Sequence, residues 1–532
     1  MSDQTPQRVW RSTCSFCGAP VEFQSAASPM AVCSFCRSTL VRDGDTLRRI
    51  GQMAELFDDH SPLRLGTRGR YQGEPFSLIG RTQYAYKDHE GHEGRWTEWH
   101  ALFDSGRSGC LSEDNGAYVF SFPLPAGMEA LPDLTQRYIG DSVVLAERSW
   151  SLTARMDARV RAVEGELDRR VDPKAWHRIA ELRNTSGEVL SIDVDEAPPS
   201  LHVGLAVELP DLALSGAADD KEASEARLQG RGIECPNCGA AVTPKLDNTQ
   251  SIVCTQCHSV IDISRGLGRD LSCYRQHNGL EPLIPLGTTG LLAVAGKVDR
   301  WQVVGYMERC EVDVGEDEPQ SFWREYLLYN KARGFAFLVD AEDGWSVVRP
   351  ITGVPKAEAT GVMLDGVRYR QRYTYNAKTT YVLGEFYWPV RQGQRSDHID
   401  FISTGSPARL LNREQTADEV TWSQGQTLTA SEVQAAFRIQ PERAPAFARD
   451  SSPVSGATSL FKADAIVWLV VLIVFVMFIM ESCSDDDCSD VRDRYGESSN
   501  EYQQCQRNRH SSGGSRSSGS SWGGYNSGGY HK

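Results

Sequence analysis

Two stretches, CSFCGAPVEFQSAASPMAVCSFC at residues 14–36 and CPNCGAAVTPKLDNTQSIVCTQC at residues 235–257, share one pattern: Cys-x2-Cys, fifteen residues, Cys-x2-Cys. Their first cysteines stand 235 − 14 = 221 residues apart. A device repeated in this way asks whether the flanking chain is repeated with it, because internal self-similarity decides the architecture before local propensity does.

The flanks do repeat. PLRLGTRG (62–69) meets PLIPLGTTG (282–290), FSLIGRTQY (76–84) meets WQVVGYMER (301–309), and WTEWHALF (96–103) meets WREYLLYN (323–330). Farther on, EDNGAY (113–118) meets AEDGWS (341–346), and VEGEL (163–167) meets VLGEF (382–386). Agreement in order over so many blocks indicates a duplication. The blocks are short, alternate apolar with polar residues, and place Val, Tyr, Trp and Phe between Gly, Asp and Asn turns, which is the pattern of antiparallel strands. The expected fold is mainly β: two tandem units, each a four-cysteine zinc ribbon followed by an antiparallel β domain, then one transmembrane helix and a disordered tail. The boundaries read as ribbon 1–45, β domain 60–214, linker 215–230, ribbon 231–265, β domain 280–439, linker 440–462, transmembrane helix 463–483 and tail 484–532.

Residues 150–171 could pass for an amphipathic helix, but their repeat partner, 361–388, is rich in Tyr and Thr and reads as a long hairpin. Both are therefore assigned to strand. A helix is expected at 429–439, where Thr429 and Glu432 have capping-box spacing.

Composition narrows the function. The 532 residues carry 56 basic and 71 acidic side chains, a net charge of −15, which disfavours a general nucleic-acid binder. Eight of the fourteen cysteines lie in the two quartets, a usage that points to metal in a reducing compartment rather than to a disulfide scaffold. Cys14, Cys17, Cys33 and Cys36, and again Cys235, Cys238, Cys254 and Cys257, suit tetrahedral Zn2+, with Gly18 and Gly239 letting the first turns close tightly. Four thiolates leave no open position, so both zinc sites are expected to be structural. A rubredoxin-like iron site is the rival reading of the same ligands. A nucleic-acid ribbon would need a basic face, yet residues 1–45 hold four Arg against four acidic residues and residues 231–265 three basic against three acidic.

No catalytic constellation stands out. KDHEGHEGRWTEWH (87–100) groups His89, His92 and His100 but lacks metal-protease spacing, and its repeat partner has no histidine, so it reads as a solvated hairpin loop leading into a strand. Asp193, Asp195 and Glu196 read as solvated loop carboxylates, and the WTEW and WREY aromatics as core. There is no Gly-rich phosphate loop and no Gly-x-Ser-x-Gly elbow.

AIVWLVVLIVFVMFIM (465–480) holds no charge, and with its flanks supplies the roughly 20 residues a membrane span requires. The metal quartets favour a cytoplasmic N-terminal bulk with the Ser/Gly-rich tail outside.

With Leu-Gly-Thr-x-Gly, Trp-x-Glu-Trp/Tyr, the Asp-Asn-Gly and Glu-Asp-Gly turns and Gly-Glu-Leu/Phe in order, the two halves resemble the bacterial domain-of-unknown-function family numbered 4178, over roughly 63–214 and 283–437. LNREQTADEVTWSQGQTLTASEVQAAF (411–437) is similar to that family's ending. The resemblance carries no catalytic residues. It implies a membrane-anchored protein in envelope-associated processes, because its members' genes tend to neighbour envelope-stress and polyamine-synthase-like genes. The expected function is a non-catalytic binding or scaffold protein with protein partners, envelope-stress proteins among them. A small-metabolite enzyme or sensor, for example for a polyamine, is the alternative.

Overall fold

The computed structural model describes residues 10–448, except 26, 44–45, 53–60, 88–92, 115, 125–132, 146, 173, 217–231, 247–248, 264–270, 277–278, 313–319, 391–392, 406–407 and 418. The expected transmembrane helix at 463–483, the tail at 484–532 and nearly all of the 215–230 linker lie outside them. Among the described residues no helix is long and apolar enough to cross a membrane.

In the first copy, β1 (Glu74–Lys87), β2 (Glu93–Phe103), β3 (Ser108–Asp114) and β4 (Ala117–Pro123) form one antiparallel meander. A second follows: β5 (Arg148–Leu167), β6 (His177–Arg183), β7 (Glu188–Asp193) and β8 (Ser200–Val207). β4 pairs with β8 and β5 returns to pair with β1, so the pairing path closes into a ring of eight strands. Closure leaves these strands no open edge.

The second copy repeats the ring. Its strands are β9 (Lys297–Val312), β10 (Phe322–Asn330), β11 (Gly334–Ala341), β12 (Gly344–Ile351), β13 (Val367–Phe386), β14 (Arg395–Ser403), β15 (Arg409–Gln415) and β16 (Val420–Leu428). β12 pairs with β16 and β13 with β9, as β4 does with β8 and β5 with β1.

β5 settles the ambiguous stretch as strand. Leu152, Ala154, Met156, Ala158 and Val160 are all buried, a period of two that only a strand presents to one face. Asp157 and Ala158 pair with β6 on one edge and β1 on the other, which is where the ring closes. The hairpin expected at 361–388 also forms, its short arm Gly361–Leu364 paired to β13.

α1 (Ala430–Phe437) follows β16 and carries the capping box, Thr429 accepting from the Glu432 backbone while the Glu432 carboxylate accepts from Thr429 N at 2.7 Å. It buries Val433 and Phe437 against the core that holds Trp301 and Trp345. Within the stretch read as linker, Pro441–Phe447 forms a 3-10 helix. Phe447 is fully buried: its ring stacks on Trp345 at 5.3 Å and its carbonyl accepts from Trp345 Nε1, so this part of the linker belongs to the second core.

Each copy has two apolar clusters of its own. A further cluster belongs to both: Trp150, Leu152, Leu182 and Leu190 of the first copy pack with Tyr369, Phe401, Leu411 and Trp422 of the second. Burial of that seam favours holding the rings together.

Candidate metal centres

Each quartet sits on a small hairpin framework. In the first, Trp10–Thr13 pairs with Pro20–Phe23, and Met30–Val32 with Ser38–Asp43. In the second, Ile233–Glu234 pairs with Ala241–Val242, and Ser251–Val253 with Val260–Asp262. The cysteines fall in the turns of these hairpins. Gly18 N donates to Cys14 O at 2.9 Å and Arg37 N to Cys33 O at 2.9 Å; Gly239 N and His258 N repeat the bonds to Cys235 and Cys254. Gly18 and Gly239 both have φ of +74°, as the tight first turns require. The second turns place Arg37 and His258 in the same left-handed region, each at φ +56°, a strain that a metal bound by the turn would offset.

All four Sγ atoms of each quartet lie within 4.8 Å of one another. Cys14–Cys36 and Cys17–Cys33 are 3.7 Å apart, Cys235–Cys257 3.6 Å and Cys238–Cys254 3.7 Å. Four sulfurs about 2.3 Å from a central ion sit about 3.8 Å apart in a tetrahedron, so the donor set fits one metal ion per quartet. In each, two cysteines are buried, one half-buried and one exposed. The Ser38 hydroxyl lowers the Cys36 thiol to about 6 and the Ser259 hydroxyl lowers Cys257 to about 5, whereas crowding by the other sulfurs and desolvation push Cys17 and Cys238 up to about 12; the four sulfurs of a quartet do not all ionise without a cation to share.

The ribbons are not beads on a string. Met30 and Ala31 pair with Leu167 and Glu166 at the end of β5, and Ser251 and Ile252 with Phe386 and Glu385 at the end of β13. Ribbon and ring thus share one sheet, which third strands extend at Thr46–Gln52 and Ser272–Tyr274. At each junction a glutamate turns into the ribbon. Glu166 accepts from Gln24 N at 2.5 Å and Ser25 N at 3.1 Å. Glu385 accepts from Lys245 N and Leu246 N at 2.9 Å and from Thr249 Oγ1 at 2.7 Å. Gly165 and Gly384, directly before them, take φ of +73° and +89°, and a Cβ at either would collide with the carbonyl of Ile79 or Val304 across the sheet. These clamps are the functional residues that motif reading missed, although the matched Gly-Glu of VEGEL and VLGEF was their trace.

The other sequence candidates resolve plainly. His89 and His92 lie outside the described residues. His100 is buried, Nδ1 3.2 Å from Glu166 O and Nε2 3.2 Å from Ser108 Oγ, a satisfied core histidine. Asp195 is paired with Arg178 at 2.6 Å and Asp193 with His177 at 2.8 Å. Trp96, Trp99, Trp323 and Tyr326 are core. Trp96 Nε1 donates to Glu98 and Trp323 Nε1 to Glu325, and each glutamate faces an arginine, Arg169 at 3.3 Å and Arg309 at 3.6 Å.

In the second ring this pair grows into an enclosed network. Arg309 also meets Glu414 at 3.6 Å, which lies 3.4 Å from His398 Nε2. Burial raises Glu325 above its ordinary value. Burial pushes Glu414 the same way, but His398 and Arg309 outweigh it and hold it low. At 2% exposure or less these groups face one another and not a substrate.

No curated protein matches the chain. A family model described as a domain of unknown function, DUF4178, matches residues 64–209 and again 294–430, more than half of the chain and one match per ring. The chain therefore belongs to the DUF4178 family, which it carries as two tandem copies.

Proposed function

We propose that the protein is a non-catalytic binding or scaffold protein, anchored in a membrane by residues 463–483 with its rings and ribbons in the cytoplasm, and serving envelope-associated processes through protein partners. The observation that carries this reading is the closed donor set: four cysteines fill each tetrahedron, and the ribbon around it is clamped by Glu166 or Glu385. A metal so held supplies folding free energy and offers no coordination position to a substrate. Zn2+ suits the all-thiolate sites best; iron in the same ligands would make the protein a redox carrier. Purified full-length protein should be colourless and hold two zinc ions per chain by elemental analysis; red protein containing iron would overturn the structural-zinc reading. Affinity capture from membranes should recover the same partners repeatedly and lose them with Cys235→Ser/Cys238→Ser. Partners unchanged by that variant, with its ribbon shown to be metal-free, would refute the role of the ribbons in binding.

A further inference from the structure

Between the two rings lies a cavity of about 690 Å3, lined by strand ends and loops of both copies, and a 410 Å3 hollow adjoins it through Glu208 and Arg349. This volume is in the range of small-molecule sites. The charges around it are unevenly arranged. Glu208, in the loop after β8 of the first copy, accepts from Lys297 at 3.0 Å, from Arg349 at 3.1 Å and from Arg333, all three in the second copy. Arg333 also meets Asp299 at 3.1 Å. Arg409, at the start of β15, and Asp365 line the same cavity, and no ion pair among the described residues holds Arg409. Of the side chains that line the cavity and its adjoining hollow, Arg70, Arg333, Arg349 and Arg409 therefore face the three carboxylates Glu208, Asp211 and Asp365, on a chain whose overall charge is −15. An excess of guanidinium groups in a concave site is the recognition chemistry of carboxylates and phosphates.

The position of Glu208 sharpens this. It is the N-cap of the 3-10 helix Leu209–Leu212, yet its side chain makes no cap hydrogen bond. Its counterpart Thr429 caps α1. Glu208 has left the helix start and lies on the second copy's basic groups.

We propose that the cleft between the copies binds a small polyanion, carrying two or more carboxylate or phosphate groups, on Arg349, Arg333 and Arg409, with Glu208 as a built-in competitor that occupies the basic groups until the ligand arrives. The site is separate from the ribbons, so its failure would leave the partner-binding reading untouched. An incoming dianion exchanges for one carboxylate on the same guanidinium donors. Binding then frees the Glu208 carboxylate and exchanges the direct tie between copies for one through the ligand.

The test is calorimetric titration of full-length protein in detergent with citrate and with pyrophosphate, the two arms separating carboxylate from phosphate sources, and with spermidine as the cationic control. Wild type should bind one or both anions and not spermidine. Arg349→Gln/Arg409→Gln should weaken binding by at least about tenfold, as expected when charged bidentate partners are removed. Glu208→Gln should strengthen it by several fold, because the competitor is gone. This last variant keeps the test decisive if the arginine variant folds poorly. Binding of spermidine in preference to the anions, no anion binding to either wild type or Glu208→Gln, or weaker anion binding by Glu208→Gln would overturn the proposal and leave Glu208 as a structural tie.

Discussion

Glu385→Ala should uncouple the second ribbon from its ring and leave the first ribbon as an internal control. Glu385 is 7% exposed, and its carboxylate accepts from two backbone N–H groups and a hydroxyl, Lys245, Leu246 and Thr249, at 2.7–3.0 Å. Hydrogen bonds to a charged group contribute about 1.5–3 kcal/mol each, and water entering the gap recovers part of that. A loss of about 3–4 kcal/mol for the clamp corresponds to local opening of the ribbon raised by roughly a hundredfold or more. Metal escapes from the opened ribbon, so the assay is its transfer to an excess of a chromophoric chelator, followed by absorbance. Wild type should release both ions slowly. Glu385→Ala should release one ion about a hundredfold faster and the other at the wild-type rate, while Glu166→Ala should do the same to the first site. Glu385→Gln keeps an acceptor oxygen and should fall between. A variant trace with both ions at the wild-type rate, or both equally accelerated, would show that the glutamates do not hold the ribbons individually.

Two further outcomes follow from buried charge. Glu419 is enclosed where Ala154 of the first copy bridges to it, and burial raises its carboxyl from 4.5 to about 7, although Arg183 pulls it down. The folded chain thus holds a proton that the unfolded chain releases. Stability from this group is complete below about pH 4.5 and is lost as pH rises through about 7, by at most about 3 kcal/mol. Urea melts of Glu419→Gln should show a shallower fall between those pH values than wild type, and parallel curves would refute the assignment. Arg309→Met leaves Glu325 and Glu414 facing each other without their cation and should cost about 3–5 kcal/mol, read by urea denaturation; adding Glu325→Gln should recover part of the loss, and a cost under about 1 kcal/mol would show that the network is not held by its arginine.

What could be read from the sequence was whatever is encoded locally or twice. The cysteine spacing, the Thr429/Glu432 cap and the order of repeated blocks each depend on neighbours in the chain, and the structure shows metal-competent quartets, a capped helix and two matched rings. Residues 150–171 were decided only through their repeat partner, because a run such as Leu-Thr-Ala-Arg-Met-Asp-Ala-Arg-Val presents an apolar face in either period. The ring closure was not legible: it depends on Asp157 meeting both Arg178 and Lys87, partners on opposite sides in sequence. The shared seam of Trp150 and Trp422 joins residues 272 positions apart, and the clamps join Glu166 and Glu385 to backbone groups some 140 residues away. Carboxylates that bind N–H groups at such range leave no local pattern.

The contrast between Glu208 and Thr429 also bears on how the duplication can be rearranged. At matched places after the last ring strand, one residue looks inward to its own helix and the other outward to its sister. The halves are therefore no longer interchangeable. A chain built from two second halves would display the Lys297, Arg333 and Arg349 trio twice and have Thr429, with no carboxylate, at both positions matched to Glu208.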